Sequence, residues 1–361
     1  MAKIYQRAAD ERLNIKRTIP FWLMHLVPLA AIFTGVGWFE IGLCAGLYAG
    51  RMFFVTAGFH RYFAHRTYKM NRVMQFLMAL GGTTAVQKGV LWWAGYHRNH
   101  HLYSDTEKDT HSPLRGFWWS HMGWILCDKY FKTPTHLIED FSKYPELRWL
   151  NKNYLLPPIA LGAAIFFLWG PSALFIGFFL STVLLSHGTF MINSMAHVIG
   201  KRRYVTNDTS RNNFLLALIT GGEGWHNNHH HYRSSANQGF FWWELDSTYY
   251  VLKIMSWFGL VKDLRKPPKA VLASNRVKDG HFDIGLFQSR FARATHVVQN
   301  AKRYTEKYVE AKKREMEDLL EATKGSADEL LASTKEKAEE LARLSRRVYK
   351  STNPVPPSSN A

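Results

Sequence analysis

Four apolar runs divide this chain, and most of its histidines lie in the polar stretches between and after them. The runs cover about residues 20–38, 41–59, 154–169 and 172–192. Each is close to the roughly 20 residues that a helix needs to cross a bilayer. Within each pair only a short turn intervenes, at Phe39 and Glu40 and again at 169–171. The pattern predicts an all-α integral membrane protein with four transmembrane helices in two hairpins.

Two interruptions of the apolar pattern carry further expectations. Arg51 falls inside the second run, and because a charge is costly in lipid we expect it to face protein or water. Residues 73–94 are apolar but broken by Gly81 and Gly82, so they predict helices that are buried in protein or lie at the interface.

The distribution of charge along the chain predicts its orientation in the membrane. Its 46 basic and 28 acidic residues give a formal net charge of +18, and aromatic residues make up 15% of it. A basic, aromatic chain also suits nucleic-acid binding, but the long apolar runs favour a membrane protein. Lys and Arg are absent from the two short turns and abundant elsewhere, which predicts turns outside and both termini, with all histidine clusters, in the cytoplasm.

The polar ends define the remaining domains. Residues 1–18 predict a short basic arm, and residues 19–268 a membrane domain with a cytoplasmic helical cap. Residues 281–350 are rich in Glu, Lys, Ala and Leu and predict charged amphipathic helices, with a new helix start at Ser326. Residues 351–361 predict a disordered tail.

Three histidine clusters carry the candidate chemistry. One has the spacing H-x4-H, and two have the spacing H-x2-H-H: His60 and His65; His97, His100 and His101; His226, His229 and His230. Positions i, i+3 and i+4 share one face of a helix, so each of the last two clusters can aim three rings at one point. Positions five apart differ by about 140° around an α-helix, so we expect the helix to end between the first pair. Eight histidines are too many for one ion and predict a cytoplasmic di-metal site.

The residue types narrow the choice of metal. Imidazole suits iron, zinc, copper or nickel, whereas calcium and magnesium prefer oxygen ligands. Zinc indicates hydrolysis and iron indicates dioxygen activation, and a membrane setting favours a greasy substrate. A single buried histidine is more often a hydrogen-bonded core residue, and His229–His231 alone is also compatible with an adventitious metal patch. Three matched clusters argue against both readings.

These motifs resemble the membrane fatty acid desaturase family, in its acyl-CoA Δ9-desaturase (stearoyl-CoA desaturase) branch. The resemblance covers roughly residues 18–265. Its matching segments are TAGFHRYFAHRTYK (56–69), WAGYHRNHH (93–101), RGF (115–117) with HMGW (121–124), NSMAH (193–197) and GEGWHNNHH (222–230).

The resemblance implies two iron ions (Fe2+) and dioxygen as a co-substrate. It implies nine histidine ligands, with Asn193 acting through a water: His60, His65, His97, His100, His101, His197, His226, His229 and His230. His197 enters through the resemblance alone. The remaining histidines have no ligand role by this match: His25, His111, His121, His136, His187, His231, His281 and His296.

The resemblance also implies a kinked apolar tunnel for the acyl chain. The matching residues are Gln87, Trp93 and Thr189 at the kink, with Tyr48 near the closed end and Met52 one turn further on. We hypothesise that Met52 shortens the tunnel and favours palmitoyl over stearoyl chains. Core packing is an equal alternative for each of these residues.

Three residues beside the clusters, Asp109, His111 and Glu223, are candidates for holding imidazole N–H groups in orientation. Ordinary hydrogen bonding within loops is the alternative for them.

Departures from the family pattern affect the head group. Gly95 and Tyr96 replace an Arg-Asp pair that contacts coenzyme A in the animal enzymes, and Lys88 replaces another polar contact. These departures alter the head-group site and weaken the match to a coenzyme A carrier. The resemblance implies a long-chain acyl-CoA substrate, with an acyl-lipid as the alternative. No His-Pro-Gly-Gly motif of a cytochrome b5 domain is present. We expect a separate electron donor of ferredoxin, rubredoxin or cytochrome b5 type with its reductase, and a bacterial inner-membrane location.

Two other functions remain open from the residues. A histidine-rich membrane hydroxylase of alkanes or lipids shares the chemistry, but usually has three residues rather than four inside its first cluster. A metal transporter or sensor predicts ionisable residues within the spans, where only His25, Arg51 and His187 lie.

Overall fold

The computed structural model describes residues 9–277, 302–317 and 327–352. The chain divides into two compact units, residues 1–293 and 294–361. The described part is mostly helical, with one antiparallel pair of two-residue strands, Lys69–Met70 and Val261–Lys262. The α-helices are Ile15–Leu26, Ala31–Thr34, Trp38–Phe53, Arg72–Thr83, Val90–Tyr103, Phe117–His121, Glu139–Ser142, Pro145–Lys152, Leu156–Ser172, Ser181–Ser194, Phe214–Ile219, His226–His231, Ser247–Trp257, Lys269–Ala273, 302–317 and Ala327–Thr352. The π-helices are Phe54–Ala64 and Ala173–Leu180, and the 3-10 helices are Ala9–Glu11, Val27–Ala30, Pro113–Arg115, Gly123–Leu126, Thr135–Leu137 and Met195–His197.

Three helical stretches in the described residues are long and apolar enough to cross a membrane: Ile15–Thr34, Trp38–Ala64 and Leu156–His197. The third has 42 residues, which as one straight helix would be about 63 Å long, twice the hydrocarbon core. Gly170 interrupts it with φ 82°, a conformation open to glycine. The two halves pack together, since Ile165 shares a buried cluster with Ala173 and Phe178.

The turn between the first two apolar helices lies earlier in the chain than the sequence predicted. The sequence analysis placed it at Phe39 and Glu40, but the chain turns at 35–37 and a new helix starts at Trp38. Glu40 belongs to that start, because its carboxylate accepts a hydrogen bond from the backbone N–H of Gly37 at 2.8 Å. The two turns meet, with the Ser172 hydroxyl donating to the Gly35 carbonyl oxygen at 2.6 Å.

Arg51 is buried in protein, as expected. Its guanidinium donates to the Thr182 hydroxyl at 2.6 Å and to the Ser181 hydroxyl. These bonds replace the water that the charge leaves behind.

Both ends differ from the predicted domains. Residues 1–8 lie outside the described part, and the rest of the predicted arm is structured and helical from Ile15. Glu11 is buried and pairs with Arg115 at 2.7 Å and Lys129 at 2.8 Å. At the other end the helix continues through Thr352, two residues into the predicted tail, because the first proline is Pro354. Residues 353–361, the predicted restart at Ser326 and residues 281–301 of the extension lie outside the described residues.

Candidate metal centre

Two groups of histidine rings converge in the first unit. In the first group one nitrogen from each ring lies within 4.8 Å of the others; its members are His60, His65, His97, His101 and His229. The second group meets the same limit, with His100, His197, His226 and His230. Together they contain all nine residues that the resemblance implied as ligands. The groups touch through His101 and His230, whose ring centroids are 4.5 Å apart.

The two H-x2-H-H clusters do not each aim at one point, contrary to the sequence analysis. His97 and His101 face the first group, while His100 faces the second. The reason is helical geometry, because positions i+3 and i+4 point about 100° apart. Each cluster therefore supplies ligands to both groups, which binds the two groups into one site.

A π-helix brings His60 and His65 together. Their helix ends at Ala64, between them as expected, but its last eleven residues, Phe54–Ala64, are π-helical. The backbone N–H of His65 donates to the carbonyl oxygen of His60 at 3.2 Å, the i to i+5 bond that places such residues nearly above one another. The two ring centroids are 4.8 Å apart.

Four carboxylates hold the outer nitrogens of these rings. Nδ1 of His60 lies 2.6 Å from Glu223, and Nδ1 of His100 lies 3.0 Å from Asp109. The other two pairs are His230 with Asp208 at 2.7 Å and His197 with Asp105 at 3.3 Å. A carboxylate fixes the proton on Nδ1 and leaves the lone pair on Nε2.

Sequence reasoning found Glu223 and Asp109 and missed Asp105, Asp208 and Arg61. Asp105 follows the second cluster by four residues, a weak local signal, whereas Asp208 precedes its partner by 22. Arg61 is fully buried and donates to Glu223 at 2.9 Å and to Asp246 at 2.9 Å. Arg61 therefore holds the Glu223 carboxylate in the position from which it orients His60.

His111 has a different role from the one expected. Its ring stacks on His100 with centroids 4.4 Å apart, and its Nδ1 is 3.9 Å from Asp109, beyond hydrogen-bonding reach. Burial, and then the neighbouring His100, lower its pKa to about 3.

The inward nitrogens fit a cation. Nε2 of His60 faces Nε2 of His229 at 3.1 Å, and Nε2 of His197 faces that of His226 at 3.1 Å. His60 and His197 keep their protons on Nδ1, so lone pairs face these contacts. Two ligands about 2.1 Å from one ion at right angles are about 3.0 Å apart, which matches this spacing. The buried Nε2 of His230 has no hydrogen-bond partner among the described residues.

Burial and mutual repulsion favour the neutral form of most of these rings. Burial, followed by the other histidines, lowers the pKa of His97, His101 and His229 well below the ordinary value. Burial acts to raise the pKa of Glu223, but His60 and Arg61 outweigh it and bring the pKa down to about 2. Neutral rings backed by ionised carboxylates are good ligands for a transition metal.

An apolar cavity of about 260 Å³ reaches the site, with His97, His111 and Asn193 in its wall. Three of the predicted tunnel residues also line it and are hydrogen-bonded in a row. The Gln87 amide donates to the Thr189 hydroxyl at 2.7 Å, and the Trp93 indole donates to Gln87 at 3.1 Å.

The loop that presents Gln87 has an unusual backbone. Val86 and Lys88 both have positive φ, near 61° and 62°. Such conformations cost about 1–3 kcal/mol each and cluster at functional sites.

Tyr48 and Met52 do not line this cavity. They lie together beside Gly188, where an added Cβ would be 3.0 Å from the Tyr48 hydroxyl and 3.1 Å from Met52 Cε. Met52 is 3% exposed and belongs to a buried cluster against which Trp93 packs.

Two cations, Arg17 and Lys88, also line this cavity. Arg17 pairs with Asp128 at 2.7 Å. The Lys88 ammonium donates to the Phe131 carbonyl oxygen at 3.1 Å and lies over the Phe131 ring. Burial, and then the nearby Arg17, lower the Lys88 pKa to about 8.

Histidines outside the two groups form other contacts. His25 and His187 meet at 3.1 Å, and His187 meets His121 at 2.9 Å, so the two histidines of the apolar runs satisfy each other. His231 stacks on Tyr204 at 3.9 Å. His281 and His296 lie outside the described residues.

Comparison with known proteins identifies the family of this chain. The fatty acid desaturase family model matches residues 36–255. The sn-1 stearoyl-lipid 9-desaturase of Synechocystis is 38% identical over 70% of this chain and 81% of its own length. The chloroplastic palmitoyl-monogalactosyldiacylglycerol delta-7 desaturase of Arabidopsis thaliana is 37% identical over 68% of this chain and 67% of its own. An acyl-CoA C20 Delta5-desaturase of Anemone leveillei is 36% identical over 68% and 79%. The family resemblance is confirmed, and this chain belongs to the fatty acid desaturase family.

Proposed function

We propose that this protein is a non-haem di-iron desaturase that introduces a Δ9 double bond into a long-chain fatty acyl-CoA. The observation that carries the proposal is the pair of histidine groups, five rings and four, whose lone pairs converge. The nine histidines would hold the metals, and Asn193 would contribute through a water. A bound pair of iron ions would supply, with dioxygen and electrons from a separate donor protein, the oxidising power to remove hydrogens from an unactivated methylene.

The chain's own residues position the substrate. The hydrogen-bonded row of Gln87, Thr189 and Trp93 forms a rigid wall where the acyl chain passes the metals. An apolar cavity excludes water and holds two adjacent methylenes against the site, which favours desaturation over hydroxylation. Tyr48 and Met52 do not line this cavity, and their proposed role is to limit, through Trp93 and its neighbours, the space open to the far end of the chain.

In the membrane we propose four passes. The break at Gly170 divides the longest apolar stretch into two, and the contact between Ser172 and Gly35 keeps both turns on one side. The charge pattern favours the outside for these turns and the cytoplasm of a bacterial cell for the metal site and both termini.

The two cations in the cavity wall favour a substrate whose acyl chain is attached to an anionic group. Lys88 and Arg17 suit the phosphates of coenzyme A. A second candidate is an acyl-lipid substrate, which is favoured by relatives whose names specify lipid-linked chains.

The test is expression in a host lacking unsaturated acyl chains, with gas chromatography of total lipids and iron analysis of the purified protein. The expected result is a Δ9 alkene and two irons per chain. Alcohol products would indicate the hydroxylase alternative, and absence of iron with no product would reject the proposal. Purified enzyme given stearoyl-CoA or stearoyl-lipid in parallel identifies the carrier.

A further inference from the structure

A second cavity, of about 640 Å³, reaches the histidine groups without sharing any wall residue with the apolar one. His101 of the first group and His230 of the second both line it. Since their rings are 4.5 Å apart, one patch of this wall borders both groups. The acyl chain already has the apolar cavity, so this polar opening is free for another task.

The rim has the composition of a transient protein contact. Leu102, directly after His101, is 58% exposed, and Tyr103 is 36% exposed. Arg233 is exposed in the wall, and Lys108 is exposed with its ammonium 5.4 Å from the Tyr103 ring. Glu107 is exposed beside Lys108, and Asp208 lines the cavity wall near His230. Exposed apolar side chains beside two exposed cations suit weak electron-transfer complexes, in which charge sets the encounter rate.

We infer that this cavity and its rim are the docking surface for an acidic one-electron donor protein, with His101 and His230 as the entry points for electrons. The inference rests on the proposed function. Each turnover removes two hydrogens from adjacent methylenes and, with two donor electrons and two solvent protons, reduces dioxygen to two waters. The donor therefore docks twice per double bond, which requires a surface that binds briefly and releases. A formal net charge of +18 favours an acidic partner.

The experiment uses the purified full-length holoenzyme with three donors: a plant-type [2Fe–2S] ferredoxin, a rubredoxin and a soluble cytochrome b5, each with its reductase. The donor that best supports wild-type turnover is then titrated against Arg233→Glu, Lys108→Glu and the double variant. Lys152→Glu is the matched control, because Lys152 is exposed and outside the cavity wall. Single turnover after reduction by dithionite bypasses docking.

We expect KM for the donor to rise roughly tenfold in the double variant and to lose most of its dependence on ionic strength. Saturating turnover, dithionite-driven single turnover and the Lys152→Glu variant should match wild type. Unchanged donor KM and salt dependence in the double variant would overturn the inference. So would failure of all three donors while dithionite supports turnover, or loss of the dithionite-driven reaction in the rim variants. An absence of alkene from wild type after dithionite reduction would instead reject the proposed function.

Discussion

Single carboxylates decide which nitrogen four of these histidines turn inward. Asp208 and Glu223 are each within 2.7 Å of an imidazole Nδ1, so the proton stays outside and the lone pair faces the other rings. The same logic makes the pairs sensitive to an isosteric amide, which can donate to Nδ1 and force the proton onto Nε2.

We therefore expect Asp208→Asn to weaken metal retention by roughly ten- to a hundredfold, with little change in fold. Iron remaining after graded chelator treatment measures this. The control is Asp263→Asn, which removes an exposed partner of Lys69 and is not a member of either histidine group. Equal iron retention in both variants would argue against the assigned role.

Met52 is the residue at which acyl chain length is expected to be set. It packs behind Trp93 and beside Gly188, so Met52→Ala opens space next to the cavity wall. We expect the ratio of C18 to C16 products to rise, by roughly tenfold if a methylene pair gains a place to bind. Met78→Ala removes a similarly buried side chain from a different cluster and controls for loss of stability. No gain with the longer chain would reject the hypothesis.

Lys88 is expected to give the proposed head-group site a pH dependence. Its pKa of about 8 lies below the ordinary value of 10.5, so the ammonium is charged below pH 8 and neutral above it. Between pH 7 and 9 the charged fraction falls from about nine-tenths to about one-tenth, and KM for acyl-CoA should rise severalfold. Lys88→Arg stays charged and should flatten the profile. If KM for acyl-CoA rises with pH in Lys88→Arg as steeply as in wild type, the pH dependence does not come from Lys88.

At the scale of elements, the π-helix Phe54–Ala64 positions His60 and His65 of the first histidine group. Helix Arg72–Thr83 packs against it through two glycines, because the rings of Phe54 and Phe59 occupy the space of a side chain there. These are the glycines that interrupt the apolar pattern of the sequence.

Gly82→Ala places a methyl 2.4 Å from the Phe59 ring, so the ring and the neighbouring His60 must shift. We expect a severalfold loss of bound iron and of activity together. Gly46→Ala is the control, since an added methyl there meets nothing within 4 Å. Full iron content in Gly82→Ala would show that the packing tolerates the change.

At the scale of the molecule, the turn contact and the charge pattern together predict a single orientation. In a background with Cys44 and Cys127 replaced by alanine, Ser172→Cys should react with an impermeant maleimide in intact cells. Lys108→Cys should react only after the cells are opened, because it lies beside the metal site. Labelling of both from the same side would contradict the four-pass arrangement.

The sequence by itself determined the helical class, the apolar stretches, the family and eight of the nine converging histidines. These properties depend on local periodicity and on motif spacing, which a single chain displays directly, whereas His197 was implied only by the family resemblance. Tertiary structure decided what depends on contacts between distant segments. It divided the nine histidines into five and four, because adjacent positions on a helix turn point to different neighbours. It also supplied Asp105, Asp208 and Arg61, whose partners are decided by packing, since no spacing along the chain marks Asp208 as the neighbour of His230. Tertiary structure also showed that the π-helix before His65 packs against Gly81 and Gly82, which the sequence showed only as an interruption.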